Sequence, residues 1–144
     1  MQKLGHKPIV LLGGATTQIG DPSGKDEARQ LLSLDAIEEN KKSLKEVFAQ
    51  FIKFGDAKND AIMVDNNDWL KGKGFVEMLR DVGRYFTVNR ILTFDSVRMR
   101  LEREEPLTFL EFSYMLLQGY DFTELHKLHI VGCKWVVRIN GVIL

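Results

Sequence analysis

The sequence predicts an α/β fold with a parallel sheet and a helix-rich second half. Two short apolar runs, Pro8–Leu12 and Ala61–Val64, are each closed by turn-forming residues. A long stretch of helical periodicity separates them, and beyond Gly74 the pattern is mainly helical. Strand, helix, strand in that order is a βαβ unit, whose crossover is expected to be right-handed.

The elements follow in order. Pro8-Ile9-Val10-Leu11-Leu12 ends in Gly13-Gly14, and an uninterrupted apolar run bounded by glycine fits a strand buried on both faces. Residues 15–25 are turn-rich and too polar for a core. Asp35 and Glu38 form a cap pairing for a long helix, with Ile37, Leu44, Val47, Phe48, Phe51 and Ile52 along one face. Ala61–Val64 reads as a second buried strand, closed by Asp65-Asn66-Asn67-Asp68. Phe75, Val76, Leu79, Val82 and Phe86 form a helical stripe. Asp95 is placed to cap a third helix through Val97 and Leu101. After Pro106, Thr108 and Glu111 have the spacing of a capping box for a fourth, through Phe109, Phe112, Leu116 and Leu117.

Composition narrows the function classes. With 20 basic and 20 acidic residues there is no net charge, hence no bulk attraction to nucleic acid or anionic membrane. Cys133 is the only cysteine, which excludes an internal disulfide and fits a reducing compartment. No apolar run approaches the ~20 residues of a membrane span, and Met1–Pro8 has no apolar signal core, so a cytoplasmic location is expected.

The fourth helix carries the most informative pattern. Tyr114, Gln118 and Asp121 are spaced i, i+4, i+7 and share one face. A phenol, an amide and a carboxylate so arranged either meet water, the commoner outcome, or line a ligand site. Asp21 lies just past the first strand, where open parallel sheets bind ligands, and can accept from a ligand ammonium or serve as a turn aspartate before Pro22. Phosphate-loop motifs fail: Gly24-Lys25 is followed by Asp26, and Ile19 stands where the first glycine belongs. His126, His129 and Cys133 are too few for a tetrahedral zinc site, and no metal site is expected.

Gly5-His6-Lys7-Pro8, Gly13-Gly14-Ala15-Thr16, Ile19-Gly20-Asp21-Pro22-Ser23-Gly24-Lys25, Asn66-Asn67-Asp68-Trp69, Leu79-Arg80-Asp81-Val82-Gly83 and the run Phe109–Phe122 occur in the order and at the spacing of one family. Together they resemble the tyrosyl-tRNA synthetases. The resemblance implies a class I synthetase catalytic domain, of which residues 1–133 form the amino-acid-binding part of a partial Rossmann-like sheet. It implies a homodimer that activates tyrosine with ATP (and Mg2+) to tyrosyl-adenylate and charges tRNA(Tyr). It assigns the substrate ammonium to Asp21, Tyr114 and Gln118, and the phenol hydroxyl to Asp121.

The resemblance also has gaps. The family's His-Ile-Gly-His and Lys-Met-Ser-Lys-Ser motifs, which handle ATP, do not occur in these residues, so no catalytic residue is assigned and the chain is expected to be inactive alone. Lys25, Lys71 and Lys73 are the candidate substitutes, each also readable as solvated lysine. Residues 134–144 diverge from the family pattern. Codons can be chosen for Cys133–Leu144 that, in a shifted frame, spell the family's Gln-Val-Gly-Gly-Ser-Asp-Gln-Trp-Gly-Asn, so the tail is read as frameshifted. Two rival readings are a non-catalytic tyrosine- or RNA-binding remnant of the same fold and an unrelated nucleotide-binding domain. Apolar Met78, Phe86, Ile91 and Leu92, around the helix from Gly74 to Phe86, read equally as ordinary core or as a subunit contact, and the resemblance favours a two-fold dimer contact.

Overall fold

A computed structural model describes residues 2–19 and 33–129, together with two short strands at 138–139 and 142–143. Strand β1 (Ile9–Leu12) and strand β2 (Ile62–Asp65) pair in parallel, with Ile9 opposite Ile62 and Leu12 opposite Asp65. Helix α1 (Leu34–Ala49) lies between them in sequence, as the βαβ pattern requires. Val10 and Leu12 are buried while Ile9 and Leu11 are half-covered, so β1 buries one face deeply rather than both. Arg138–Ile139 (β3) and Val142–Ile143 (β4) form a separate antiparallel pair.

The cap of α1 differs from expectation. Ser33, not Asp35, takes the N-cap position, its side chain accepting from the Ala36 N–H at 3.2 Å. Asp35 falls in the first turn, where its charge favours the positive end of the helix dipole. Of the predicted apolar face only Ile37 is buried; Val47 is exposed, and Phe51 lies beyond the helix end, also exposed.

Past β2 the chain turns at once into a one-turn helix, α2 (Asn67–Leu70), where the sequence pattern gives only a turn. The long helix expected from Gly74 to Phe86 is α3 (Phe75–Asp81) followed by a 3-10 turn over Gly83–Tyr85. Two further helices follow, α4 (Val88–Leu92), capped by Thr87, and α5 (Asp95–Glu102). Phe94 rather than Asp95 holds the N-cap position of α5.

The longest element, α6 (Phe109–His129), begins at the predicted capping box. Thr108 N–H donates to Glu111 Oε2 at 2.9 Å, and Glu111 N–H donates to Thr108 Oγ1 at 3.2 Å. Arg100 braces this corner from α5: one guanidinium N–H reaches Glu111 Oε1 at 2.7 Å and another the Pro106 carbonyl at 2.7 Å. Further along α6, Lys73 pairs with Glu77 at 3.0 Å and Asp81 at 3.5 Å of α3, and lies 5.1 Å from the Tyr120 ring centre. Between these braces α6 approaches the 3-10 turn closely: a Cβ at Gly119 would lie 2.7 Å from Phe86 Cζ.

The apolar surface is also redistributed. Ile91 is buried, and Met78 and Phe86 are half-buried, so these three belong to the packing rather than to an open face. Leu92, the fourth, is exposed, as are Phe75, Val76 and Leu79 of α3 with Tyr85 and Val88 beyond it. Among the described residues no helix is long and apolar enough to cross a membrane.

Burial pushes the Glu111 carboxyl up, but the Thr108 N–H, Arg100 and the Thr108 hydroxyl together bring it below the usual carboxylate range. A depressed folded-state value stabilises above the unfolded value and loses that contribution as pH falls through the folded one. Glu111→Gln is therefore expected to cost about 1–3 kcal/mol at pH 7. The difference from wild type should vanish as the pH is lowered below the ordinary glutamate range, measured by urea unfolding across pH.

Candidate functional site: a buried carboxylate at the strand ends

Because β1 and β2 run parallel, their carboxyl ends lie at the same edge of the sheet. The residue just past β2 is Asn66, which is fully buried, and its polar groups are all engaged. Its N–H donates to the Leu12 carbonyl at 2.9 Å, extending the ladder, and its own carbonyl accepts from Leu70 N–H at 3.0 Å. Its side-chain oxygen accepts from the Ala15 N–H at 2.9 Å, in the loop after β1. Its Nδ2 donates to Thr16 Oγ1 at 2.9 Å and to Asp121 Oδ2 at 3.1 Å.

Asp121 is brought to this point by α6, which packs on the turn Thr16–Gln18. Asp121 is only 4% exposed, and Trp69 Nε1–H donates to its other oxygen at 2.8 Å. Burying a carboxylate is costly unless donors replace water, and two N–H donors on separate oxygens do so here. They also fix its rotation. A carboxylate has about four acceptor sites, so a hydroxyl or ammonium reaching this face can join the same group.

The three helix residues singled out by spacing lie on one side of α6. Tyr114 and Asp121 are buried and Gln118 is half-buried, which is not a fully solvated polar face. Asp21 lies outside the described residues, as does Lys25. Lys73 is not a solvated lysine: its hydrogen bond to Glu77 is the chief reason that its ammonium is raised to about 12, and its side chain is 12% exposed. Asn66, Trp69 and Thr16 carry no assigned role from sequence alone. The signal that could have found them was a tryptophan and an asparagine immediately past a buried strand, where ligand-binding crevices form.

The fold and this cluster define an α/β domain with a built polar site at the carboxyl ends of parallel strands. Residues 1–133 match the family described as tRNA synthetases class I (W and Y), and the chain belongs to that family. It is 55% identical over 150 residues to the tyrosine–tRNA ligase of Nitrobacter winogradskyi, an overlap of 99% of this chain and 36% of that protein. It is 58% identical over 141 residues to the tyrosine–tRNA ligase of Methylocella silvestris, covering 98% of this chain and 33% of the relative. The chain thus spans about a third of the length of these curated relatives. Among solved structures it is similar to a C-terminally truncated Aspergillus nidulans mitochondrial tyrosyl-tRNA synthetase (TM-score 0.74, 30% identity), covering 86% of this chain and 38% of that one. The family match sets aside an unrelated nucleotide-binding domain.

Removing the Asn66 side chain strands the Ala15 N–H and takes a donor from both Thr16 and Asp121. Asn66→Ala is expected to lower stability by at least about 2 kcal/mol in denaturant unfolding, whereas Asp68→Ala, at an exposed neighbour, should stay within about 0.5 kcal/mol.

Proposed function

We propose that this chain is the amino-acid-binding part of a tyrosine–tRNA ligase, which activates tyrosine with ATP to tyrosyl-adenylate and transfers it to tRNA(Tyr). The observation that carries this reading is the buried Asp121 carboxylate held by Trp69 and Asn66. It is the acceptor for the phenol hydroxyl of tyrosine. Tyr114, Gln118 and Asp21 hold the ammonium. Seven residues at ~1.5 Å rise set Tyr114 and Asp121 roughly 10 Å apart along α6, the order of distance needed to grip both ends of one amino acid. The similarity to tyrosine–tRNA ligases supports the same assignment.

ATP binding and phosphoryl chemistry need cations placed around the α-phosphate. Lys73 is committed to Glu77 and Asp81, so it is a brace rather than a phosphate ligand. Mg2+ is assigned to the nucleotide that it accompanies. The exposed Phe75, Val76 and Leu79 of α3 are assigned to a two-fold contact with a second copy, and light scattering should report a dimer. Residues 134–144 are assigned to a shifted reading frame. Sequencing the locus tests this: absence of Gly-Gly-Ser-Asp-Gln in the alternative frame contradicts it.

Calorimetry on the purified 144-residue chain should show tyrosine binding. Asp121→Asn should weaken tyrosine by about ten- to hundred-fold, with little effect on phenylalanine, because a charge-assisted hydrogen bond is worth about 1.5–3 kcal/mol. Equal losses for both amino acids would contradict the assignment of Asp121 to the hydroxyl. The same chain should show no tyrosine-dependent pyrophosphate exchange. Turnover near that of a complete synthetase would mean its phosphate-binding groups lie elsewhere among these residues.

A further inference from the structure

Consecutive residues at the end of β2 grip consecutive amides of the loop after β1. Asp65 Oδ1 accepts from Gly14 N–H at 2.9 Å, and Asn66 Oδ1 accepts from Ala15 N–H at 2.9 Å. The same Asp65 oxygen accepts from Asn67 N–H at 2.9 Å, which begins α2. The other Asp65 oxygen meets Lys41 Nζ of α1 at 2.5 Å. Lys41 in turn bonds Glu38 at 2.7 Å.

This is more than a surface ion pair. The Asp65 and Lys41 side chains are only 13% and 22% exposed, whereas a solvent-exposed pair contributes about 1 kcal/mol or less. Here the carboxylate also seats directly on backbone: a Cβ at Gly14 would overlap both Asp65 oxygens, so only glycine lets the loop come this close. Burial pulls the Lys41 ammonium down, yet its bonds to Asp65 and Glu38 outweigh that and hold it above the usual lysine range.

We propose that Asp65 is a positioning residue for amino-acid recognition. By holding the Gly14 amide it fixes the loop that presents Thr16 to Asn66, and through Asn66 it sets the Asp121 carboxylate. Lys41 is the counter-charge that keeps Asp65 in place and ties α1 to the same point. The inference rests on reading Asp121 as the acceptor of the tyrosine hydroxyl.

The test combines two measurements on the purified chain. Amide hydrogen exchange should show Gly14 and Ala15 protected in wild type and both exposed in Asp65→Ala. Calorimetry should show tyrosine affinity lowered about tenfold in Asp65→Ala with phenylalanine within about twofold, a loss of ~1.4 kcal/mol confined to the hydroxyl-bearing ligand. Asp65→Asn, which keeps an acceptor for Gly14, should restore most of both signals. Lys41→Met covers the case in which Asp65→Ala fails to fold, and should lower the tyrosine-to-phenylalanine ratio in the same direction. An unchanged ratio in folded variants, with wild type still preferring tyrosine, overturns the positioning role and leaves the reading of Asp121 intact. A wild type that binds both amino acids equally overturns that reading and this inference with it.

Discussion

Asn66 is the point at which three separate parts of the chain are joined. Its backbone continues the β1–β2 ladder and starts α2, while its amide spans the loop after β1 and the middle of α6. A fully buried asparagine is tolerated only when nearly every donor and acceptor is met, because an orphaned group in a dry interior costs about 1–3 kcal/mol. That requirement acts as a constraint on geometry. The loop carrying Thr16, the strand end and Asp121 must all be correctly placed at once, or the amide is left unsatisfied.

The remaining braces serve the same end by holding α6 in place. Arg100 and the Thr108–Glu111 capping box fix its start, and Lys73 with Tyr120 fixes it against α3. Phe86 packs into the space left by Gly119, so the helix lies close to the 3-10 turn next to α3. A helix pinned at its start and near its middle presents Tyr114, Gln118 and Asp121 as one row. Rigid presentation favours selective binding, since little ordering remains to be done when a ligand arrives.

Much of the fold was legible in the sequence because it rests on local rules. The capping box at Thr108 and Glu111 and the two parallel strands follow from spacing and apolar runs. Failures occur where local signals compete. Ser33 and Asp35 are both good cap residues, and the choice of Ser33 depends on where the chain enters α1. Ile91 looks like interface material in sequence but is buried by packing that involves α4 and α5, which no periodicity reveals. Of the site, the Tyr114–Gln118–Asp121 row was legible because a helix makes i, i+4 and i+7 neighbours. Asn66, Trp69 and Asp65 stand out in the sequence only as parts of a pattern, because their partners lie 50 or more residues away in the chain.

In the function proposed, the Asp121 carboxylate, oriented by Trp69 and Asn66, receives the hydroxyl of tyrosine. The Trp69 indole N–H is its direct reporter, and with only two tryptophans in the chain its nitrogen-15 resonance is easily assigned. A ligand hydroxyl arriving on Asp121 must change the strength of the Trp69 hydrogen bond. Saturating tyrosine should shift the Trp69 indole resonance, and phenylalanine at equal occupancy should leave it nearly in place. An indole resonance that ignores bound tyrosine, or responds alike to both amino acids, would contradict it.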